Sequence, residues 1–162
     1  MIVNGWEILS TKLFNMLYEN LVLSVKELRD KSPEEYKSHP KTKLLASIQR
    51  AIKTDVPENP DNPIFRLGKT LGSEYAHWRR VKNNMPPRYR MFFRFNSNDS
   101  YNIQNCKYII FAWFNDQFTL RKKGAKSDVY NVFKSLLVKK VIPDNWNELF
   151  AEAIKQNMDQ KK

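Results

Sequence analysis

An α+β fold, with N-terminal and C-terminal helices packed against a small twisted antiparallel sheet, is predicted by three observations. Apolar residues recur at helical spacing as far as Ile52 and again from Val129 onward. Between residues 78 and 115 the period shortens to two, and the strand candidates there are joined by segments too short to contain crossover helices. Helices that bracket such a sheet can bury one of its faces. At 162 residues and 19.3 kDa the chain suits one domain, 1–162, and a chain of this size buries roughly two-thirds of its unfolded surface.

Taken in order, the first 30 residues read as helix after Asn4-Gly5. Leu13, Leu17, Leu21 and Val25 recur every fourth position, and Phe14, Leu21 and Leu28 every seventh, which makes one apolar stripe. Ser32-Pro33-Glu34-Glu35 combines a capping serine, a proline at the first helical position and a glutamate three after the cap, so a second helix is expected there. Pro40 breaks it and opens its continuation, whose stripe is Leu44, Leu45, Ile48, Ala51 and Ile52. Residues 56–63, with three prolines and two asparagines, read as a linker within the domain. Phe65, Leu67, Lys69 and Leu71 alternate weakly, and stronger strands are expected over residues 78–82, 89–96 and 107–115. Val129, Phe133, Leu136 and Leu137 then mark one helix, and Trp146, Leu149, Phe150, Ala153 and Ile154 another beyond Pro143.

Composition excludes several classes of function. One cysteine, Cys106, permits no intrachain disulfide, and with only His39 and His77 besides there is no Cys/His zinc set; Cys106 is expected to be inert. No run approaches the ~18 apolar residues of a membrane span, and the first residues lack an export signal, so a cytoplasmic protein without a membrane partner is expected. The formal charge of +11 is concentrated. Residues 1–65 carry nine basic and nine acidic side chains, whereas residues 66–94 carry eight against one and residues 106–126 five against one. Such a field attracts polyanions, which makes nucleic acid the leading partner class, ahead of an acidic protein and a merely solvated face.

Period-two geometry places Tyr89, Met91, Phe93 and Phe95 on one side of their strand and Arg88, Arg90, Phe92 and Arg94 on the other. If Val81 faces inward, Arg80 and Lys82 join the arginines, and Arg79 and Lys122 extend the basic region. The expectation is an outward basic sheet face that grips phosphates, guanidinium rigidly and ammonium as a mobile charge. Trp113 belongs to the core or stacks on a base. Asn115, Asp116 and Arg121 form a polar rim at the end of the last strand, with Asp116 either holding an arginine or meeting a substrate. His77 is a surface or core-edge residue, or else an acid or base. Only Glu74, Asp99 and Asp116 are acidic between residues 66 and 126, too few for a two-metal centre, so no metal or cofactor is expected. Cleavage of nucleic acid without metal favours RNA, whose 2′-hydroxyl is a built-in nucleophile. Grip without cleavage, by a non-catalytic inhibitor that binds RNA or ribosomes, fits the same residues.

Asn4-Gly5-Trp6, Thr42-Lys43-Leu44-Leu45-Ala46, Phe65-Arg66-Leu67-Gly68-Lys69-Thr70-Leu71-Gly72, Trp78-Arg79-Arg80-Val81-Lys82, Arg88-Tyr89-Arg90-Met91-Phe92-Phe93-Arg94, Trp113-Phe114-Asn115-Asp116 and Thr119-Leu120-Arg121 are collinear over roughly residues 3–150. These blocks closely resemble the YhaV toxins, the toxin half of bacterial PrlF–YhaV toxin-antitoxin systems and distant members of the RelE-like ribonuclease superfamily. The resemblance implies ribosome-associated cleavage of messenger RNA and a PrlF-type antitoxin with a swapped-hairpin DNA-binding domain, through which the complex reaches operator DNA. By the same resemblance Arg90 contacts the reacting phosphate, Arg80 and Lys82 position or deprotonate the 2′-hydroxyl, Arg121 lies near the leaving group, and Tyr130 is the aromatic residue that follows it. Arginine, with a pKa above ~12, is a poor base, which makes Lys82 the preferred proton acceptor.

Overall fold

The computed structural model describes residues 1–96 and 107–161. The readings of Cys106, Asp99 and the 97–104 connection fall outside them. Five strands form one mixed sheet in the order β1-β2-β5-β4-β3: β1 (Ile2–Val3), β2 (Trp6–Ser10), β3 (Arg79–Val81), β4 (Met91–Asn96) and β5 (Lys107–Phe114). Helices α1 (Lys12–Lys31) and α2 (Pro40–Arg50) cover one face. Helices α4 (Val129–Val138) and α5 (Trp146–Gln160) cover the other, and a single turn, α3 (Val56–Glu58), follows α2. The α+β class holds.

The sheet differs from the expected one at its N-terminal strands. Asn4 and Gly5 both adopt positive φ, 51° and 82°, the two-residue turn that matches strand twist, and it folds β1 back on β2. Residues 6–10, expected to be helical, therefore extend and pair in parallel with β5, from Trp6↔Lys107 to Ser10↔Phe111. Helix α1 begins only at Thr11. Its side chain accepts from the Phe14 amide at 3.1 Å and donates to the Ala112 carbonyl at 2.8 Å, tying the helix start to the central strand. Thr11→Val, which keeps the volume but loses both bonds, should cost about 1–3 kcal/mol in denaturant unfolding.

Three further expectations are corrected. Ser32 ends α1 instead of starting a helix, because the following proline disfavours helical backbone; its φ and ψ are −141° and 69°. A turn and one 3₁₀ turn (Tyr36–Ser38) follow before Pro40 opens α2. Beyond Arg50 the helix widens to a π turn (Ala51–Asp55) and runs on through Pro57, so the linker begins only after Glu58. Residues 65–71 are not a strand. Only Arg66 bridges to Arg79, and Gly68 and Gly72, at φ 58° and 95°, turn the chain so that Phe65, Leu67 and Leu71 still reach the core.

The unbroken apolar run of β5 follows from two-sided cover. Ile109, Phe111 and Phe114 pack toward α1 and α2, whereas Ile110, Ala112 and Trp113 pack toward α4 and α5. The switch of face arises because Phe92 pairs with Trp113 and Phe93 with Phe111, leaving Ala112 as an extra residue. On β4 the expected alternation is present, but the arginine side is not open to solvent. Phe92 stacks on Phe133 of α4 with ring centroids 4.0 Å apart. Helix α4 therefore covers the middle of the side on which the arginines are expected to lie open.

Candidate active site

One end of the sheet gathers the last residue of β3, the first of β4 and the chain leaving β5. Arg80 pairs with Phe92 and Val81 with Met91, and Val81 is buried toward α1 and α2, which sends Arg80 toward α4. There its guanidinium lies 5.7 Å from the centre of the Tyr130 ring. Arg121 approaches the same ring at 5.0 Å. Arg90, only 8% exposed, donates from Nε to the Tyr130 hydroxyl at 3.1 Å and from Nη1 to the Tyr89 carbonyl at 2.8 Å. Three guanidinium groups, widely separated in sequence, thus surround one phenol. Lys82, one residue beyond the Val81↔Met91 pair, is exposed and follows on the backbone opposite Arg90.

Two side chains hold this arrangement. Asn115 is buried; its Oδ1 accepts from the Arg90 amide at 2.8 Å, and its Nδ2 donates to the carbonyls of Arg88 at 3.2 Å and Thr119 at 2.9 Å. Arg88, at φ 73°, and Arg121 clasp each other: the Arg121 amide donates to the Arg88 carbonyl at 2.9 Å, and Arg88 Nε to the Arg121 carbonyl at 3.0 Å. Asp128, 2% exposed, caps α4 by accepting from the Tyr130 amide at 3.1 Å. Its Oδ1 also accepts from Arg121 Nη1 at 2.7 Å and the Lys122 amide at 2.6 Å. Burial alone would raise the Asp128 carboxyl, but the Arg121 guanidinium and the two backbone amides outweigh it and hold the group below the ordinary aspartate value.

The other basic and polar candidates do not meet at Tyr130. Arg79 sits toward the opposite face, 5.6 Å from the Phe95 ring and 3.6 Å from Asp61. Arg94 lies four residues along β4 from Arg90, ~13 Å at strand spacing. It sits between the Trp78 and Trp146 rings, 5.5 and 5.3 Å from their centres, and donates to the Asp144 carbonyl. Trp113 is a core residue, stacked on Phe92 and Phe133. Asp116 holds its own turn, accepting from the Phe118 amide at 2.9 Å and the Thr119 hydroxyl at 3.1 Å. It also lines a shallow cleft against α1 with Tyr89, whose hydroxyl is raised by burial and by the Asp116 charge. Lys122 has an exposed side chain and contributes its amide to Asp128. His77 Nε2 donates to Asp144 Oδ1 at 2.7 Å, an acceptor shared with Trp78 Nε1.

Asp128 was not among the candidates read from the sequence. Its signal is an acidic residue directly before the apolar run Val129-Tyr130-x-Val132-Phe133, a helix-capping position inside a basic segment. Among the described residues no three His, Cys, Asp or Glu side chains stand close enough to hold a metal ion, and no helix is long and apolar enough to cross a membrane.

Fold and site together define a small basic α+β protein with three guanidinium groups gathered round one phenol. A family model described as a toxin with endonuclease activity, of a toxin-antitoxin system, matches residues 8–154. "Ribonuclease toxin YhaV" of Escherichia coli K12 and "Toxin YhaV" of Escherichia coli O6:H1 (strain CFT073) and O157:H7 are each 40% identical to the chain over 151 residues, 93% of either length. No solved structure matches. The chain belongs to the YhaV toxin family. It is a toxin with endonuclease activity, and an antitoxin is its partner.

Proposed function

We propose that the chain cleaves RNA by making the substrate's own 2′-oxygen attack the adjacent phosphorus, with the 5′-oxygen leaving. The observation that carries this reading is the convergence of Arg80, Arg90 and Arg121 on Tyr130. The negative charge that grows on the phosphate oxygens in the transition state needs preorganised donors in a partly dry site, and two arginines fixed by Asn115 and Asp128 supply them. Arg90 and Arg121 stabilise the phosphate, and Arg80 holds the strand on the 2′ side. Lys82, as the neutral amine, takes the 2′ proton and becomes the ammonium. The Tyr130 hydroxyl accepts from Arg90, so its own proton is free to be donated to a phosphate or leaving oxygen. Arg88 and Lys122 add positive field at the rim. The RNA substrate is supported by the printed name of the K12 relative, a ribonuclease toxin.

By the family resemblance, the same reading extends to messenger RNA on ribosomes and to a PrlF-type antitoxin with a swapped-hairpin domain that carries the complex to operator DNA. Mapping of RNA ends in a translating extract tests the chemistry. Cuts inside open reading frames that leave 2′,3′-cyclic phosphate and 5′-hydroxyl ends, and that persist in a chelator, are expected. A linear 3′-phosphate as first product, or a strict magnesium requirement, overturns the mechanism.

A further inference from the structure

Phe118 is the most exposed large apolar side chain of the described residues, at 76%, and the only aromatic among those more than half exposed. Its ring face is thus open to a ligand. The turn that carries it is fixed on every side. The Phe118 amide donates to Asp116 Oδ1 at 2.9 Å, the Thr119 amide to the Asp116 carbonyl at 3.2 Å, and the Asp116 amide to the Thr119 hydroxyl at 3.2 Å. Asn115 Nδ2 donates to the Thr119 carbonyl at 2.9 Å, and the Oδ1 of the same side chain takes the Arg90 amide at 2.8 Å. Asn115 thus braces both this turn and the Arg90 backbone, and Phe118 stands three positions before Arg121, which keeps their Cα atoms within ~11 Å.

We propose that Phe118 is a base-stacking subsite, which binds the face of an unpaired nucleobase close to the phosphate held by Arg90 and Arg121. This deepens the RNA reading above and rests on it. Two features favour a base over a protein side chain as occupant. Stacking on an isolated ring needs no surrounding pocket, since a base presents its π-face whatever its sequence. The shared brace also limits how far the backbone that carries the ring can move from the Arg90 backbone, which matters for a ligand whose base and phosphate are covalently linked. Trp113 cannot take this role, because Phe92 and Phe133 already stack on it within the core.

The test compares wild type with Phe118→Ala, Phe118→Leu and Phe118→Trp, reading the protein concentration that gives half-maximal messenger cleavage in a translating extract, with thermal unfolding as the folding control. Loss of one stacked base by truncation is worth on the order of tenfold or more in binding. Ala and Leu should each raise the half-maximal concentration by about that factor and Trp should restore it, because leucine keeps apolar area but has no π-face. Equal loss in all three variants, or none in Ala, overturns the proposal. Unchanged cleavage by the Ala variant together with weakened binding of the cognate antitoxin also overturns it, and assigns the ring to that partner. Failure of wild type to cut any RNA refutes the RNA reading itself, an outcome distinct from wild-type cleavage with an indifferent Phe118.

Discussion

Substituting Arg90 by alanine should reduce RNA cleavage by about 10²–10³-fold, the usual consequence of removing one preorganised transition-state donor. RNA retention at low salt should weaken far less, because Arg80, Lys82, Arg88, Arg121 and Lys122 remain to contact phosphates. Arg90→Lys should recover little. The native side chain donates in two directions from a planar group, Nε to Tyr130 and Nη1 to the Tyr89 carbonyl, and a lysine presents a single ammonium. Single-turnover cleavage and filter binding at several salt concentrations separate the two effects. Parallel losses of binding and cleavage would demote Arg90 to a grip, and leave a non-catalytic inhibitor as the better description of this end of the sheet.

Asp128→Ala should be the most damaging of these substitutions for stability, and it should lower activity as well by releasing Arg121. It removes the cap of α4, worth ~1 kcal/mol, and leaves the Lys122 amide and the Arg121 guanidinium without their shared acceptor, for a total of about 3 kcal/mol. A fall in melting temperature of roughly 6–12 °C corresponds to that loss in a chain of this size. Asp128→Asn retains the capping oxygen but not the charge, so it should lose Arg121 placement, and hence turnover, with a smaller drop in melting temperature. Native Asp128 lies below its ordinary value, so the carboxylate contributes stability that is full above the unfolded-state pKa of ~3.9 and is lost as pH falls through the depressed native value. Urea midpoints measured from neutral pH downward should fall less steeply on acidification in Asp128→Asn than in wild type. Matching slopes would contradict the assignment.

How much of this was readable from the chain depends on whether a feature is local. The alternation of Tyr89, Met91, Phe93 and Phe95 against Arg90, Phe92 and Arg94 is a local property of one segment and survives in the structure, whereas Arg88, at φ 73°, lies before the strand and outside the pattern. What covers the arginine side is not local. Phe133, Trp146 and their helices lie dozens of residues downstream, and nothing in the strand says that they return to it. The N-terminal strand was missed for the opposite reason. Asn4-Gly5 is a strong hairpin signal, but the five residues of β2 are too few to compete with the helical stripe that begins right after them. Ser32-Pro33 carries a genuine boundary, read in the wrong direction, since a proline excludes helix before it as readily as it permits helix after it. Residue types pointed to Arg80, Arg90 and Arg121, which converge on Tyr130, whereas Asp128 and Phe118 stand out only by position: one is an acid under a helix start, the other a ring on a braced turn.

Because Trp6 lies beside Lys107 in the sheet, the middle strand gains its second neighbour only by closing a loop of about a hundred residues. Tyr130 and Asp128 come later still in the order of synthesis. An emerging polypeptide of this sequence therefore carries its arginines long before it can bring them together around Tyr130.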